Sequence, residues 1–403
     1  MDRFFALRRY GLATVLTAAL CTTVVGASCT LKSDAEGSGG QAGNQSPMAG
    51  GGSGAGGGVG AGAGAGGGAG SGGGTPRVEP DGGTLPLDTP KGKIPMFVAA
   101  GQGGRTIVSC DDGRTWVANR NFENNNDDHS PNTHKGLAYG GGTFIVLLGW
   151  GADSSLLVST DGVTWKRNTD LGKVSYGGIA HGGNRFALLR QDVAQYSEDM
   201  GATWTRARVQ PSNDHREGGG GNGLPGQKGV FGGGGSGTVP SMSWDGGETF
   251  SLAAGCGNFD FGGIGGEGGV AAGNGHLVFV SRLGNTCHVT GNGKTVTTGK
   301  LDSEVDGKLV FAAGKFWVTN GATIYSSETG ESWKRTAASP SNVSLQAVAV
   351  GDSGTFVAIS KTGADFYRST DGSNWQKATG PPGPALIRVV FGYGLPSSLC
   401  QGN

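Results

Sequence analysis

The sequence carries no excess of either charge: Lys plus Arg number 31 and Asp plus Glu number 31 in 403 residues. That balance lacks the clustered basic field that phosphate backbones require, so no nucleic-acid partner is expected. Long helical periodicity is also missing. Helix formers are sparse, and apolar residues fall in short runs between clusters of Gly, Asn, Asp and Ser, the pattern of an all-β chain. The apolar run at residues 12–25 is too short to span a bilayer comfortably. It follows Arg3, Arg8 and Arg9 and ends in small residues, which reads as an export signal. Cysteine is scarce, six in all. Cys21 lies inside the signal, Cys29 follows it, and Cys110, Cys256, Cys287 and Cys400 form an even set in the globular part. In an oxidising compartment these four form two disulfides; the alternative is four buried thiols.

Glycine is what the chain has most of, 84 residues, about three times the usual share. Residues 36–74 are nearly all Gly, Ala and Ser. Such a stretch buries too little apolar surface to offset its ordering entropy, so it is expected to be a flexible tether. Its root-mean-square reach is on the order of 35 Å. The domain plan is therefore a signal at 1–28, a linker at 29–90 and one large folded domain at 91–403. Gly26-Ala27-Ser28-Cys29 resembles a bacterial lipobox. Ala27 and Ser28 fit that pattern, whereas Gly26 stands where an aliphatic residue is usual. The resemblance implies lipidation of Cys29 and anchoring at the cell envelope, on the outer membrane. Plain cleavage after Ala27, with secretion, is the alternative.

One motif recurs along the folded part: Ser-x-Asp-x-Gly-x-Thr-Trp, sometimes one residue shorter. It runs from Ser109 to Trp116 around Asp111, from Ser159 to Trp165 around Asp161, and from Ser197 to Trp204 around Asp199. Further copies hold Asp245 with Phe250, Glu328 with Trp333, and Asp371 with Trp375. Thr290 to Val296 reads as a degenerate fifth copy in chain order. The copies end at residues 116, 165, 204, 250, 296, 333 and 375, about 43 residues apart, a period typical of four-stranded propeller blades. A second repeat, Leu137-Ala138-Tyr139-Gly140-Gly141-Gly142-Thr143-Phe144 and its counterparts from Ile179, Ala271 and Val348, reads as first strand, tight turn, second strand.

The motif resembles the Asp-box, or BNR, repeat of sialidases and related β-propellers, over residues 94–394. In that family the box turns the chain between the third and fourth strands of a blade. The carboxylate accepts backbone N–H groups, the Gly supplies a positive φ, and the aromatic packs between sheets. On this reading the fold is a seven-bladed β-propeller of four-stranded antiparallel blades. Only two strands precede the first box, near residues 96–100 and 106–109, and one extra strand follows the last, near 385–391. The C-terminal strand is therefore expected to pair into the first blade and close the ring. That topology brings Cys400 to Cys110 and puts Cys256 and Cys287 on adjacent blades, predicting Cys110–Cys400 and Cys256–Cys287. The turns built on Glu328, Phe250 and Val296 are expected to be weaker.

In such propellers the boxes lie on one face and ligands bind at the other, among interblade and second-to-third-strand loops. The interblade loop 122–135 carries His129 and His134, and the loop 210–221 carries Asp214, His215 and Arg216. Trp150, Asp153, Arg190 and Asp192 fall on the same face, where an exposed Trp beside charges suits sugar stacking. Solvated polar loops are the plainer reading of the same residues. Neither loop shows a recognised metal-ligand spacing, so neither metal nor cofactor is expected.

Similarity to sialidases raises the question of catalysis. Lys93-Ile94-Pro95 echoes the Arg-Ile-Pro motif of that family, but Lys cannot grip a carboxylate in the bidentate way Arg does. Sialidase rings usually have six blades, and no Tyr–Glu pair can be assigned. The expectation is a monomeric, lipid-anchored binding module for a glycan or protein, with a sialidase-like or other glycoside hydrolase as the alternative.

Overall fold

The computed structural model describes residues 90–400 apart from 128, 150–153, 170, 172, 191–192, 209–216, 225–226, 262–268 and 306. Strands β1 (Ile94–Gly101), β2 (Thr106–Ser109) and β3 (Val117–Arg120) open the domain. A second sheet holds β4 (His134–Gly140), β5 (Thr143–Leu148), β6 (Ser155–Ser159) and β7 (Lys166–Asn168). The third holds β8 (Gly178–Gly182), β9 (Arg185–Leu189), β10 (Ala194–Ser197) and β11 (Thr205–Arg206). The fourth unit has β12 (Glu217–Gly221), β13 (Val230–Gly234), β15 (Ser241–Ser243) and β16 (Ser251–Leu252). Beside it, β14 (Ser236–Thr238) pairs with β17 (Phe259–Asp260) as a separate two-stranded ribbon.

The fifth unit runs β18 (Gly269–Gly273), β19 (His276–Val280), β20 (Asn285–Thr290) and β21 (Thr295–Lys300). The sixth is β22 (Val310–Ala312), β23 (Lys315–Thr319), β24 (Thr323–Ser327) and β25 (Lys334–Ala338). The seventh is β26 (Leu345–Val350), β27 (Phe356–Ser360), β28 (Phe366–Ser369) and β29 (Gln376–Ala378). Finally β30 (Leu386–Gly394) runs antiparallel to β1, from Ile94 opposite Gly394 to Gly101 opposite Leu386, giving the order β3-β2-β1-β30. The two end strands are each longer than the sequence pattern indicated. Among the described residues there is no α-helix, and no helix is long and apolar enough to cross a membrane.

Strands alternate small and branched apolar residues, so each sheet is apolar on both faces and must be covered twice. Seven separate apolar clusters do this, each shared by two successive sheets. Phe144, Val146 and Leu148 pack on Met96 and Val98. Phe186 and Leu188 pack on Ile145 and Leu147. The last cluster joins Phe97 and Ile107 of the first sheet to Val357, Ile359 and Phe366 of the seventh. Arg105, almost wholly buried, secures the same junction by donating to the carbonyls of Pro384 at 2.6 Å and Pro381 at 2.5 Å. Asp112 and Arg368 add an ion pair there at 2.6 Å.

Each sheet's first strand lies beside that of the next, and β26 and β4 both flank β30. Between the fourth and fifth units the contact becomes hydrogen-bonded: β12 pairs parallel with β18, Gly220 opposite Ala271, which merges the two into one eight-stranded sheet. Only glycine permits this. A Cβ at Gly219 would stand 1.8 Å from the Val270 carbonyl oxygen. Both disulfides form with the expected pairing, each with Cα atoms 5.5 Å apart. This is β-propeller architecture, and its disulfides fit an extracellular or envelope setting.

Candidate functional site: the central cavity

The innermost strands of the seven units, β4, β8, β12, β18, β22, β26 and β30, line one cavity of about 550 Å³, within the range of small-molecule sites. Much of its wall is backbone, because the strands contribute Gly and Ala where side chains would block it. Its two ends differ in chemistry. At one end stand Lys135, near the start of β4, Lys308, just before β22, and Arg388, near the start of β30. Lys135 is 7% exposed and Lys308 5%. His134 senses all three. Burial, followed by the charges of Arg388, Lys308 and Lys135, holds its imidazole well below the ordinary value. At the other end are Tyr139, His181, Asp352 and Tyr393. The Tyr393 hydroxyl donates to Asp352, and the Tyr139 hydroxyl donates to the Tyr393 carbonyl at 3.2 Å. Burial raises the Asp352 carboxyl and, with the Asp352 charge, pushes the Tyr139 phenol up to about 12. Burial also holds His181 down to about 4.

The box residues are architectural. Asp111 accepts from Thr115 N at 2.9 Å and Arg114 N at 3.1 Å, while Ser109 Oγ accepts from Gly113 N at 2.9 Å. Burial pushes the Asp111 carboxyl up, but hydrogen bonds from Thr115, Ser109 and Arg114 outweigh it and leave it below the ordinary value. Asp161, Asp199, Asp245 and Asp371 accept in the same way from Thr164, Thr203, Thr249 and Asn374. The tryptophans close the turns as well as filling space: the indoles of Trp165, Trp204, Trp333 and Trp375 donate to the box glycine carbonyl at 3.1–3.2 Å. Trp116 instead stacks on Phe366, and Phe250 is buried without any such donor.

One box differs from its sequence alignment. Ser327, not Ser326, accepts from Gly330 N, at 2.7 Å, and Thr329 accepts from Glu331 N, at 3.3 Å. The sixth box is thus the shorter form, with Thr329 in the acidic position and Glu328 exposed beside it. In the degenerate copy the turn is held by Asn292 and Gly293, both at positive φ, without a carboxylate.

The loop-face candidates fare unevenly. Trp150, Asp153, Asp192, Asp214, His215 and Arg216 lie outside the described residues, as does Cys29. His134 does not belong to a loop. It opens β4 and is 1% exposed, because the apolar register of that strand carries it inward. His129 is exposed, its Nδ1 3.8 Å from Asp127. Arg190 follows β9 and does not line the cavity. No group of three metal-ligating side chains occurs among the described residues. The basic end of the cavity escaped the sequence reading. Its signal in the sequence is a basic residue at the start of, or just before, three of the innermost strands, in Lys135-Gly136, Lys308-Leu309 and Arg388-Val389.

Residues 276–394 match the family described as DUF6242 beta propeller domain, less than a third of the chain. No curated protein sequence matches. Similar solved structures include virginiamycin B lyase from Staphylococcus aureus, 9% identical with TM-score 0.47 over 62% of this chain and 85% of that one. YCF48 bound to D1 peptide is 16% identical, with TM-score 0.44 over 62% and 82%. Apo AztD from Citrobacter koseri is 12% identical, with TM-score 0.47 over 76% and 99%.

Proposed function

We propose that this chain is an exported, lipid-anchored binding module: a closed ring of seven Asp-box blades that holds a glycan or protein ligand at the mouth of its axial cavity without turning it over. The observation that carries this reading is the cavity of about 550 Å³, lined by the innermost strand of every unit and bearing convergent polar groups at each end. A wall of glycine backbone leaves room for a ligand, and buried titratable groups there are a recognised mark of functional sites. A glycoside hydrolase would need a second carboxyl roughly 5 to 10 Å from the first. Among the described residues lining the cavity, Asp352 is the only acid.

The test is a glycan array probed with the compact unit Ser71–Asn403, run beside a panel of fluorogenic glycosides. Saturable binding without turnover supports the module. Hydrolysis that disappears in Asp352→Asn overturns it in favour of the glycosidase. For the anchor, Cys29→Ser should move the protein from the membrane fraction to the soluble one.

A further inference from the structure

We infer that the aromatic end of the cavity is a subsite for a protonated amine, with Asp352 as its counter-charge, and that the ligand it holds is an amino sugar. The inference rests on the binding reading above and deepens it. Tyr139, His181 and Phe311 are each the last residue but one of an innermost strand, β4, β8 and β22, so they stand at one level of the ring. Each side-chain ring lies over a glycine of the adjoining innermost strand. A Cβ would come within 2.5 Å of the Tyr139 ring at Gly392, 2.0 Å of the His181 ring at Gly140 and 2.3 Å of the Phe311 ring at Gly273. The rings are therefore in place before any ligand arrives, which lowers the ordering cost of binding. Phe391 and Tyr393 of β30 complete this end, with ring centroids 5.5 Å apart. At the same level the fourth and fifth units present only Gly220 and Ala272, so the space opens on that side.

Asp352, just beyond β26, stands among these rings. Other partly buried carboxylates meet an arginine: Asp112 with Arg368, Glu248 with Arg185 and Asp260 with Arg282. Asp352 accepts the Tyr393 hydroxyl and forms no ion pair among the described residues. Lys93, at the rim, reaches the Gly141 carbonyl instead, at 3.5 Å. Burial raises the Asp352 carboxyl, and a cation beside it would offset that penalty on its charge. His181, held down to about 4, is neutral and does not oppose a cation. An ammonium carries three N–H donors, and the Asp352 carboxylate and the Tyr393 hydroxyl oxygen are adjacent acceptors for it. A divalent metal ion would demand more oxygen ligands than one carboxylate. A lysine side chain would leave most of the 550 Å³ empty, whereas the rings suit the apolar face of a pyranose that carries the amine.

The full-length chain is titrated calorimetrically with a glucosamine trimer, with its neutral N-acetylglucosamine counterpart and with trilysine. The expected result is that the amine trimer binds at least about tenfold tighter than the acetylated one, loses affinity as salt is added, and outbinds trilysine. Asp352→Asn should weaken the amine trimer about tenfold or more and leave the acetylated trimer unmoved. Asp352→Glu should recover part of the loss, and Tyr393→Phe should weaken the amine trimer several-fold. Each variant is first shown to melt as the parent does, and the comparison of the two trimers on the parent needs no variant. Equal affinity for the two trimers, absence of amine binding, or an affinity unmoved in folded Asp352→Asn overturns the subsite. Trilysine binding tighter than the amine trimer overturns the amino sugar as its ligand. A glycan without an amine found on the array, bound independently of Asp352, would leave the binding module standing and remove this inference alone.

Discussion

The ring of contacts is made in two ways, and the contrast lies between β12 and β30. Around β12 backbone touches backbone. A Cβ at Gly219 or Gly221 would lie 1.8 Å from a carbonyl oxygen of β18, and one at Gly178 would meet Gly218 at 2.6 Å. Around β30 side chains fill the gap. Phe391 meets Phe97 edge-on with ring centroids 5.1 Å apart, and Gly392 makes room for the Tyr139 ring. The first junction brings the innermost strands together by parallel hydrogen bonds, at the entropic cost of ordering glycine, and keeps its apolar packing farther out, where Val230, Met242 and Phe261 meet Leu277 and Phe279. The second gains large aromatic area. A repeat architecture tolerates either, provided successive sheets stay in contact.

The largest expected effect breaks the glycine junction. Gly219→Val has no room against a backbone carbonyl and should abolish the folded state, read as loss of a cooperative melt. Gly351→Ala at the aromatic junction meets the Phe97 ring at 3.0 Å and should cost about 1 to 3 kcal/mol. The disulfides fall between these two effects. Removing Cys110–Cys400, with a sequence separation of 290, frees more unfolded-state entropy than removing Cys256–Cys287, with a separation of 31. The loop model gives about 5 to 6 against about 3 to 4 kcal/mol, and denaturant melts of the paired Cys→Ser variants should rank them so. Phe97→Ala, wholly buried at the aromatic junction, should cost about 3 to 5 kcal/mol.

Smaller effects come from the turns and from pH. Asp371→Ala removes the acceptor of the turn N–H groups of Ser373 and Asn374 and should lower the melting temperature, whereas Glu328→Ala should change little, since Thr329 and Ser327 make the hydrogen bonds of that turn. His181, beside the glycine junction, is held down to about 4 by burial. The unfolded chain therefore binds more protons between about pH 6.5 and 4. The stability His181 contributes is complete above that window and falls as pH drops through it, by at most about 3 kcal/mol. His181→Gln should flatten that part of a stability-against-pH curve. The box carboxyls, lowered in the fold, act at still lower pH and in the same direction.

Much of the fold could be read because its determinants are local. Ser, Asp, Gly and Trp within eight residues specify a turn whatever surrounds it, and their regular spacing does the rest. The pairing of Cys110 with Cys400 followed from counting strands at the two ends. The sixth box misled because Ser326 and Ser327 are adjacent, and a one-residue choice of cap cannot be made from composition. The site was less legible. Lys135, Lys308 and Arg388 are far apart in sequence and each is unremarkable alone; only the strand topology brings them onto one cavity. His134 was misplaced because a histidine at the end of a polar stretch gives no sign that a strand has begun.

The antiparallel partnership of β1 with β30 also sets a timetable. The opening strand leaves the ribosome nearly three hundred residues ahead of its neighbour. At roughly 5 to 20 residues per second, synthesis alone imposes a delay on the order of tens of seconds. Throughout that interval one edge of the first sheet is without its mate and open to wrong partners, so the growing chain is most vulnerable just before Leu386–Gly394 arrives.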